Sequence, residues 1–391
     1  VYQQRVIIVG AGIIGLATAY NLLQQGIHQV TVLEQATVDH GQASSHGASR
    51  LLRFEYGNDT FYPEMVHLSL KRWKKLEQHT SQHLYTPTGT LGLGQGQDSF
   101  AGQSYQTLRN LGYTPERLNH SEIAKRFPQF RAQSYDFLTY NADAGMLHAS
   151  LCLQTLRSAI RDLGGTVLEH HQVTAIRHEN VQQAIRLQLS TGEEMLADRA
   201  IIATGPWVHR LLHTEIELPV RLTRQYLLYF ANLPTEEFGL PAFPTFMAED
   251  LYGFPLHAQG TNGPTWLKAA SHTFGDPAEP GEVPVVDERV IRQVTQRLYD
   301  LIPALQQAEL AKVESYIYDV SLDEDFILDY LPHDRRIVLA TGFTGHAFKF
   351  GILLGELLGA LVSENEPVIP LTRFQLARFA RQWQMPAHSV A

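Results

Sequence analysis

The sequence predicts an α/β fold, in which a Rossmann-like βαβ domain is interleaved with an α+β domain built on an antiparallel sheet. Three observations carry that expectation. A glycine motif sits between a strand-like and a helix-like run near the start of the chain. A second strand, glycine loop and helix recur near its end. The stretch between them is rich in aromatics and prolines.

Taken in order, Val6-Ile7-Ile8-Val9 is a short β-branched run of the kind found in buried parallel strands. Gly10-Ala11-Gly12-Ile13-Ile14-Gly15 follows at once, and Leu16 to Gln25 reads as a helix stopped by Gly26. Val30 to Leu33 is a second strand, and it ends in Glu34. This completes a βαβ unit. Pro63 to Gln78 has helical spacing, with Val66, Trp73 and Leu76 on one face. From Leu84 the texture changes to glycine-punctuated strands such as Thr88 to Leu93. Leu151 to Leu163 reads as a helix, Val173 to Ile176 as a strand, and Ala200 to Ala203 as a buried strand running into Thr204-Gly205-Pro206-Trp207. Residues 220–318 suggest an antiparallel sheet with a helix at Glu288 to Leu301. Ile337 to Ala340 then reads as a strand, Thr341 to Gly345 as a glycine loop and Lys349 to Leu361 as a helix. Gly351, Gly355 and Gly359 bare one face of that helix for close packing. The expected division is a discontinuous dinucleotide domain at 1–84, 147–216 and 322–391, with a second domain at 85–146 and 217–321.

Composition narrows the function. A chain of 391 residues exceeds one ordinary core, so two domains are expected. The formal charge of −9 does not favour nucleic acid or an acidic membrane, so an anionic ligand must be held by local cations. Cys152 is the sole cysteine, which excludes an intramolecular disulfide and a cysteine-based zinc site. The 18 histidines show no metal-ligand spacing, and no metal is expected. The apolar run at Val6 leads directly into the glycine motif, so no signal peptide is expected, and the apolar run from Phe350 to Val362 is too short to span a bilayer. A cytoplasmic, monomeric protein without membrane or nucleic-acid partners is the expectation.

The glycine motif carries chemistry because of where it sits. Gly10 permits the tight turn, Gly12 lets a pyrophosphate approach the backbone, and Gly15 lets helix and strand pack closely. The helix start, at Ile13 and Ile14, offers unpaired N–H groups and partial positive charge to phosphates. Glu34 stands where a carboxylate can accept from ribose hydroxyls. The loop at Gly342 and Gly345, again ahead of a helix, favours FAD over NAD, since an isoalloxazine needs a contact far from the pyrophosphate.

Further segments carry a resemblance. They are Ser44-Ser45-His46-Gly47-Ala48-Ser49-Arg50-Leu51-Leu52-Arg53, Tyr252-Gly253-Phe254-Pro255, Lys268 with His272, Asp323 to Asp329, and Gly342-Phe343-Thr344-Gly345-His346-Ala347-Phe348-Lys349-Phe350. In this order, across nearly the whole chain, they resemble the monomeric sarcosine oxidase family of FAD-dependent amine oxidases. That family includes N-methyltryptophan and pipecolate oxidases and lies in the D-amino-acid-oxidase-like superfamily. The resemblance implies that Arg53 and Lys349 clamp a substrate carboxylate. Both stand in apolar settings, where a buried cation needs an anion, and Arg suits bidentate carboxylate binding. It implies that Lys268 promotes reaction with oxygen, that Arg50 and His46 lie by the flavin, and that Tyr252, Tyr318, Met247 and His272 surround the substrate amine. Cofactor contacts are implied at Ser45, Ser49, Val173, Gly205, Tyr316, His346 and Lys349, besides the two glycine loops and Glu34.

One position departs from the family. Where relatives carry a cysteine bonded to the flavin, this chain has Tyr316, and no base stands out beside it. FAD is therefore expected to be held non-covalently. The resemblance implies oxidation of a secondary or cyclic amino acid of sarcosine, N-methyl, proline or pipecolate type, giving imine and hydrogen peroxide with molecular oxygen as partner. Two alternatives stay open: a dehydrogenase passing electrons to another acceptor, and a flavin-binding protein without turnover.

Overall fold

The computed structural model describes residues 4–177, 184–260, 263–282 and 286–380. The βαβ unit forms as expected: β1 (Arg5–Val9), α1 (Ile13–Gln24) and β2 (Gln29–Leu33). β1 pairs in parallel with β2 on one side and with the strand Arg199–Ile202 on the other. The six-stranded sheet is completed by Thr166–Leu168 beside β2, Asp334–Thr341 beside Arg199–Ile202, and the antiparallel edge strand Ile327–Leu331. Its β-branched strands are buried because helices cover one face and a three-stranded antiparallel sheet, Val173–Arg177, Ile185–Leu189 and Glu194–Ala197, covers most of the other.

α1 and the helix Gly351–Ser363 pack side by side. A Cβ on Gly351 would lie 2.4 Å from Ile13, one on Gly355 2.4 Å from the Ala17 backbone, and one on Gly359 2.6 Å from Asn21. The bare glycine face is therefore what brings the two helices into contact. Lys349 falls just outside this helix, in a single 3₁₀ turn at Phe348–Phe350, so the helix begins two residues later than its periodicity suggests.

The second large sheet runs in the order Glu309–Ser321, Val220–Ala231, Thr265–Ser271, Leu251–Gly253, Thr245–Ala248, Thr90–Gly94, Phe137–Asn141 and Glu116–Leu118. All its pairings are antiparallel except that of Thr245–Ala248 with Thr90–Gly94. The helix Glu288–Leu301 packs against it through Ile291, Val294, Leu298 and Leu301. A small sheet joins the two halves: β3 (Ser49–Leu52) pairs with Gly145–His148, which also pairs with Tyr85–Thr86. No helix among the described residues is long and apolar enough to cross a membrane.

Candidate active site

A cavity of about 360 Å³ begins at the carboxyl ends of the parallel strands and runs to the second sheet. Ligands of open α/β sheets bind in this crevice. At its first end stand Gly10, Gly12, Ile13 and Ile14. Gly10 has φ +104°, and a Cβ there would lie 2.4 Å from the Ala203 carbonyl, so only glycine fits. Gly15 lies beneath the wall, where a Cβ would meet the Gly10 carbonyl at 1.9 Å. The first turn of α1 carries no acidic side chain, and Ser45 Oγ accepts from the Ile13 N–H at 3.1 Å.

Glu34 is buried in the cavity wall. Its carboxylate accepts from the N–H groups of Ala11 (2.9 Å) and Ala36 (3.0 Å), which ties β2 to the glycine loop. Val173 and Gly205 line the same end, together with His171, Thr204 and Trp207.

The other end is cationic. Arg50, Arg53, Lys268 and Lys349 all line it. Among the described residues none of the four is ion-paired with a carboxylate. Arg50 donates to the carbonyls of Ser44 (2.8 Å), His46 (2.5 Å) and Ser49 (2.8 Å). Lys268 is 1% exposed and donates to the same Ser49 carbonyl at 2.8 Å. Burial, aided by the Arg50 charge, holds its ammonium well below the usual lysine range. Ser49 thus serves the site through its backbone, not as part of the cavity wall.

Lys349 is equally buried, and its Nζ donates to the Tyr56 hydroxyl at 2.8 Å and the His346 carbonyl at 3.0 Å. Burial and then Arg53 depress its pKa strongly. The Lys349 carbonyl accepts from Trp73 Nε1 at 2.8 Å and from Ser69 Oγ, so the helix Phe61–Thr80 fixes this lysine from behind. Arg53 lies over the rings of Tyr56 and Phe100, at 4.4 and 5.3 Å from their centroids. Its Nη1 is buried without a hydrogen-bond partner. A buried guanidinium with an idle donor is costly unless an anion arrives.

His272, Tyr252, Tyr318 and Met247 wall this end. The two tyrosine side chains face each other closely enough to influence one another's ionisation. Desolvation, then Arg53 and Lys349, push the His272 imidazole down to about 4. It is neutral at pH 7. Gly345 has φ +71°, and a Cβ there would lie 2.1 Å from the Tyr318 ring. Gly342 sits just behind the wall, while His346 lines it and its Nδ1 meets the Tyr56 hydroxyl at 3.1 Å.

His46 is not part of the cavity wall. Its Nδ1 is bound to Asp39 at 2.8 Å, and its ring stands 6.4 Å from that of Tyr316. The hydrogen bond to Asp39 raises its pKa above the ordinary histidine value.

Tyr316 does line the cavity, and here the sequence reading needs correction, because a carboxylate does stand beside it. Glu314, two residues away on the same strand, accepts from the hydroxyls of Tyr316 (2.8 Å) and Tyr229 (2.6 Å). It also pairs with Lys312. Residues two apart on a strand share a face, and that signal identifies Glu314 from sequence. Burial is the largest cause holding the Tyr316 phenol above its ordinary pKa.

Two more residues escaped sequence reading. Tyr56 bridges Lys349 and His346, three positions beyond Arg53. Asp319 is buried in the cavity wall; its carboxylate accepts from Thr341 Oγ1 at 3.2 Å, and its backbone carbonyl accepts from the Thr344 N–H at 2.8 Å. Desolvation pushes its carboxyl up to about 6. Among the described residues, no three His, Cys, Asp or Glu side chains are placed to hold a metal ion.

Residues 5–361 match the family model described as FAD dependent oxidoreductase. The chain belongs to this family of FAD-dependent oxidoreductases. It is 30% identical to peroxisomal sarcosine oxidase of Homo sapiens over 379 residues, covering 95% of each chain. It is 28% identical to N-methyl-L-tryptophan oxidase of Yersinia pestis (strain Pestoides F), covering 95% of this chain and 98% of that one. The fold is that of the L-proline dehydrogenase from P. horikoshii, with TM-score 0.84, 17% identity and coverage of 97% and 98%. The protein is thus an oxidoreductase of sarcosine oxidase-like type, and members of this family use FAD. The site suits that cofactor on its own geometry. The glycine cradle leaves no room for a Cβ at Gly10, and the cavity continues without a break from that cradle to the buried cations.

Proposed function

We propose that the protein oxidises the carbon–nitrogen bond of a secondary or cyclic amino acid, of the sarcosine, N-methyl, proline or pipecolate type. The observation that carries this reading is the pair Arg53 and Lys349: two buried cations, one with an idle donor, at the far end of a dinucleotide cavity. The relatives named for sarcosine and N-methyl-L-tryptophan, which are N-methyl amino acids, support it. Residues 1–84, 147–216 and 322–391 carry the cofactor, and 85–146 and 217–321 shape the substrate end.

FAD, when bound, supplies a two-electron acceptor that molecular oxygen restores, with hydrogen peroxide as product. The chain supplies the rest. Gly10, Gly12, Gly15, Ile13 and Ile14 hold the pyrophosphate, with Ser45, Glu34, Val173 and Gly205 along the nucleotide and Gly342, Gly345 and His346 at the ring end. Arg53 and Lys349 take the substrate carboxylate. Binding an anion there offsets the desolvation and the Arg53 repulsion that depress the lysine, so the clamp is charged when it is filled. His272, neutral, accepts from the amine, and Tyr252, Tyr318 and Met247 exclude water around it. Arg50, and Lys268 as the forming anion favours its protonated state, put positive charge where oxygen gains electrons.

FAD is held without a covalent bond. Burial holds the Tyr316 pKa above its ordinary value, which disfavours the phenolate that a link to the flavin would need. Denaturing mass spectrometry should give the bare polypeptide mass, and a mass heavier by one FAD would contradict this. The function itself is tested by screening sarcosine, longer N-methyl amino acids, proline and pipecolate for peroxide in air. One class should give peroxide in step with substrate loss, and none doing so would remove the proposal.

A further inference from the structure

A second, smaller cavity of about 30 Å³ lies beyond Met247. Met247 lines both cavities and is the wall between them. The far side is lined mostly by apolar groups, Leu93, Phe100 and Ala101 among them, with one buried carboxylate. Glu55 is 7% exposed, its Oε1 accepts from Asn141 Nδ2 at 3.0 Å, and its Oε2 is buried with no hydrogen-bond partner. Ser99, Thr139 and Glu249 stand around the same space. A buried carboxylate oxygen without a donor is as costly as the idle donor of Arg53. The two residues are only two positions apart, so their backbones are separated by at most about 7 Å.

We propose that this cavity is the end of the substrate pocket, a subsite in which Glu55 receives a cationic group at the tip of an amino-acid side chain. The inference rests on the amino-acid reading above, with the substrate carboxylate on Arg53 and Lys349. The volume holds a group the size of one or two waters, which suits an ammonium and excludes a ring. Met247, unbranched and adaptable, can turn aside to let an aminobutyl chain through. The charges match along the path: cations meet the carboxylate, and Glu55 with Glu249 meets the ammonium. Burial raises the Glu55 pKa against the opposing pull of Asn141 and Arg53, and an arriving cation favours its ionised form. Arg53 and Met247 thus serve one end of the substrate, and Glu55 the other.

The test is calorimetric binding to the FAD-loaded protein, with racemic Nα-methyllysine, Nα-methylnorleucine and sarcosine as probes. The first two have similar reach and differ in the terminal charge. Wild type should bind the lysine probe about tenfold or more tighter than the norleucine probe. Glu55→Gln, which keeps the shape and the Asn141 bond, should collapse that ratio towards one. An unchanged ratio in Glu55→Gln, or equal binding of both probes in wild type, overturns the subsite, the second result meaning that the space holds only water. Equal weakening of all three probes in Glu55→Gln also overturns it, because Glu55 would then merely steady Arg53. If sarcosine binds and neither longer probe does, the subsite fails while the amino-acid reading stands. If no probe binds, the amino-acid reading itself has failed.

Discussion

Arg53 and Lys349 owe their chemistry to what surrounds them, not to their identity alone. Each is buried on aromatic faces, and among the described residues neither is ion-paired with a carboxylate. Removing either leaves a bound carboxylate underpaired in a desolvated site, a loss of about 2–5 kcal/mol. Arg53→Ala or Lys349→Ala should therefore weaken substrate capture at least about tenfold, while FAD stays bound, as steady-state kinetics and the flavin spectrum would show. Unchanged kcat/KM in both variants would refute the clamp. Lys268 plays another part. It is fully buried against Phe254 and the Ser49 carbonyl, and Lys268→Met keeps its bulk while removing its charge. Stopped-flow traces should show flavin reduction largely intact under nitrogen and reoxidation by oxygen severely slowed. Normal reoxidation would remove Lys268 from the oxygen reaction. At this scale the family resemblance pointed to the lysines and arginines, and the apolar runs around Arg53, Lys268 and Lys349 agreed with it. It did not reveal Tyr56, Glu55 or Asp319. Their roles depend on partners far along the chain, such as Lys349 for Tyr56 and Asn141 for Glu55.

Among elements, the strand Glu309–Ser321 does most to connect cofactor and substrate ends. It carries Glu314, Tyr316, Tyr318 and Asp319, and it anchors the loop ahead of the helix Gly351–Ser363. That anchor is the Asp319 carbonyl, which accepts from the Thr344 N–H, and the buried carboxyl beside it has a folded pKa of about 6, above its ordinary value of 3.8. A raised carboxyl pKa means that the folded state binds the extra proton. The contribution of Asp319 to stability is therefore fully present below about pH 4 and is lost as pH rises through about 6. Asp319→Asn keeps an acceptor for Thr341 Oγ1 and removes the charge. It should raise Tm at pH 8 relative to wild type by a few degrees, roughly 2–6 °C, with little difference near pH 4. The opposite trend in paired melting curves would show that the ionised form is needed to hold the loop. The strand and the helix were legible as elements, the helix through its glycine face. The 3₁₀ turn bearing Lys349 was not, since its cause lies in Trp73 and Ser69, which clamp the Lys349 carbonyl.

Across the whole molecule, two sheets meet over one cavity. The parallel sheet offers its strand ends and the first turn of α1, where polar N–H groups and little negative charge favour a phosphate. The larger sheet offers aromatic walls and Lys268. The first half was readable because a βαβ turn on glycine has few structural solutions, and β1, α1 and β2 lie close to where the pattern put them. The order of the second sheet was not readable. Thr90–Gly94 pairs in parallel with Thr245–Ala248, a contact between distant segments that no local pattern announces. The central claim is that this shared cavity binds FAD and an amino acid together, with the carboxylate as the handle. Anaerobic titration of the FAD-loaded protein tests it most directly, using the accepted secondary or cyclic amino acid and its amide. The account predicts that the amino acid bleaches the visible flavin absorbance, that admitting air restores it with formation of peroxide, and that the amide, lacking the charge, bleaches it far more weakly. Equal bleaching by the amide, or none by any secondary or cyclic amino acid, would contradict it.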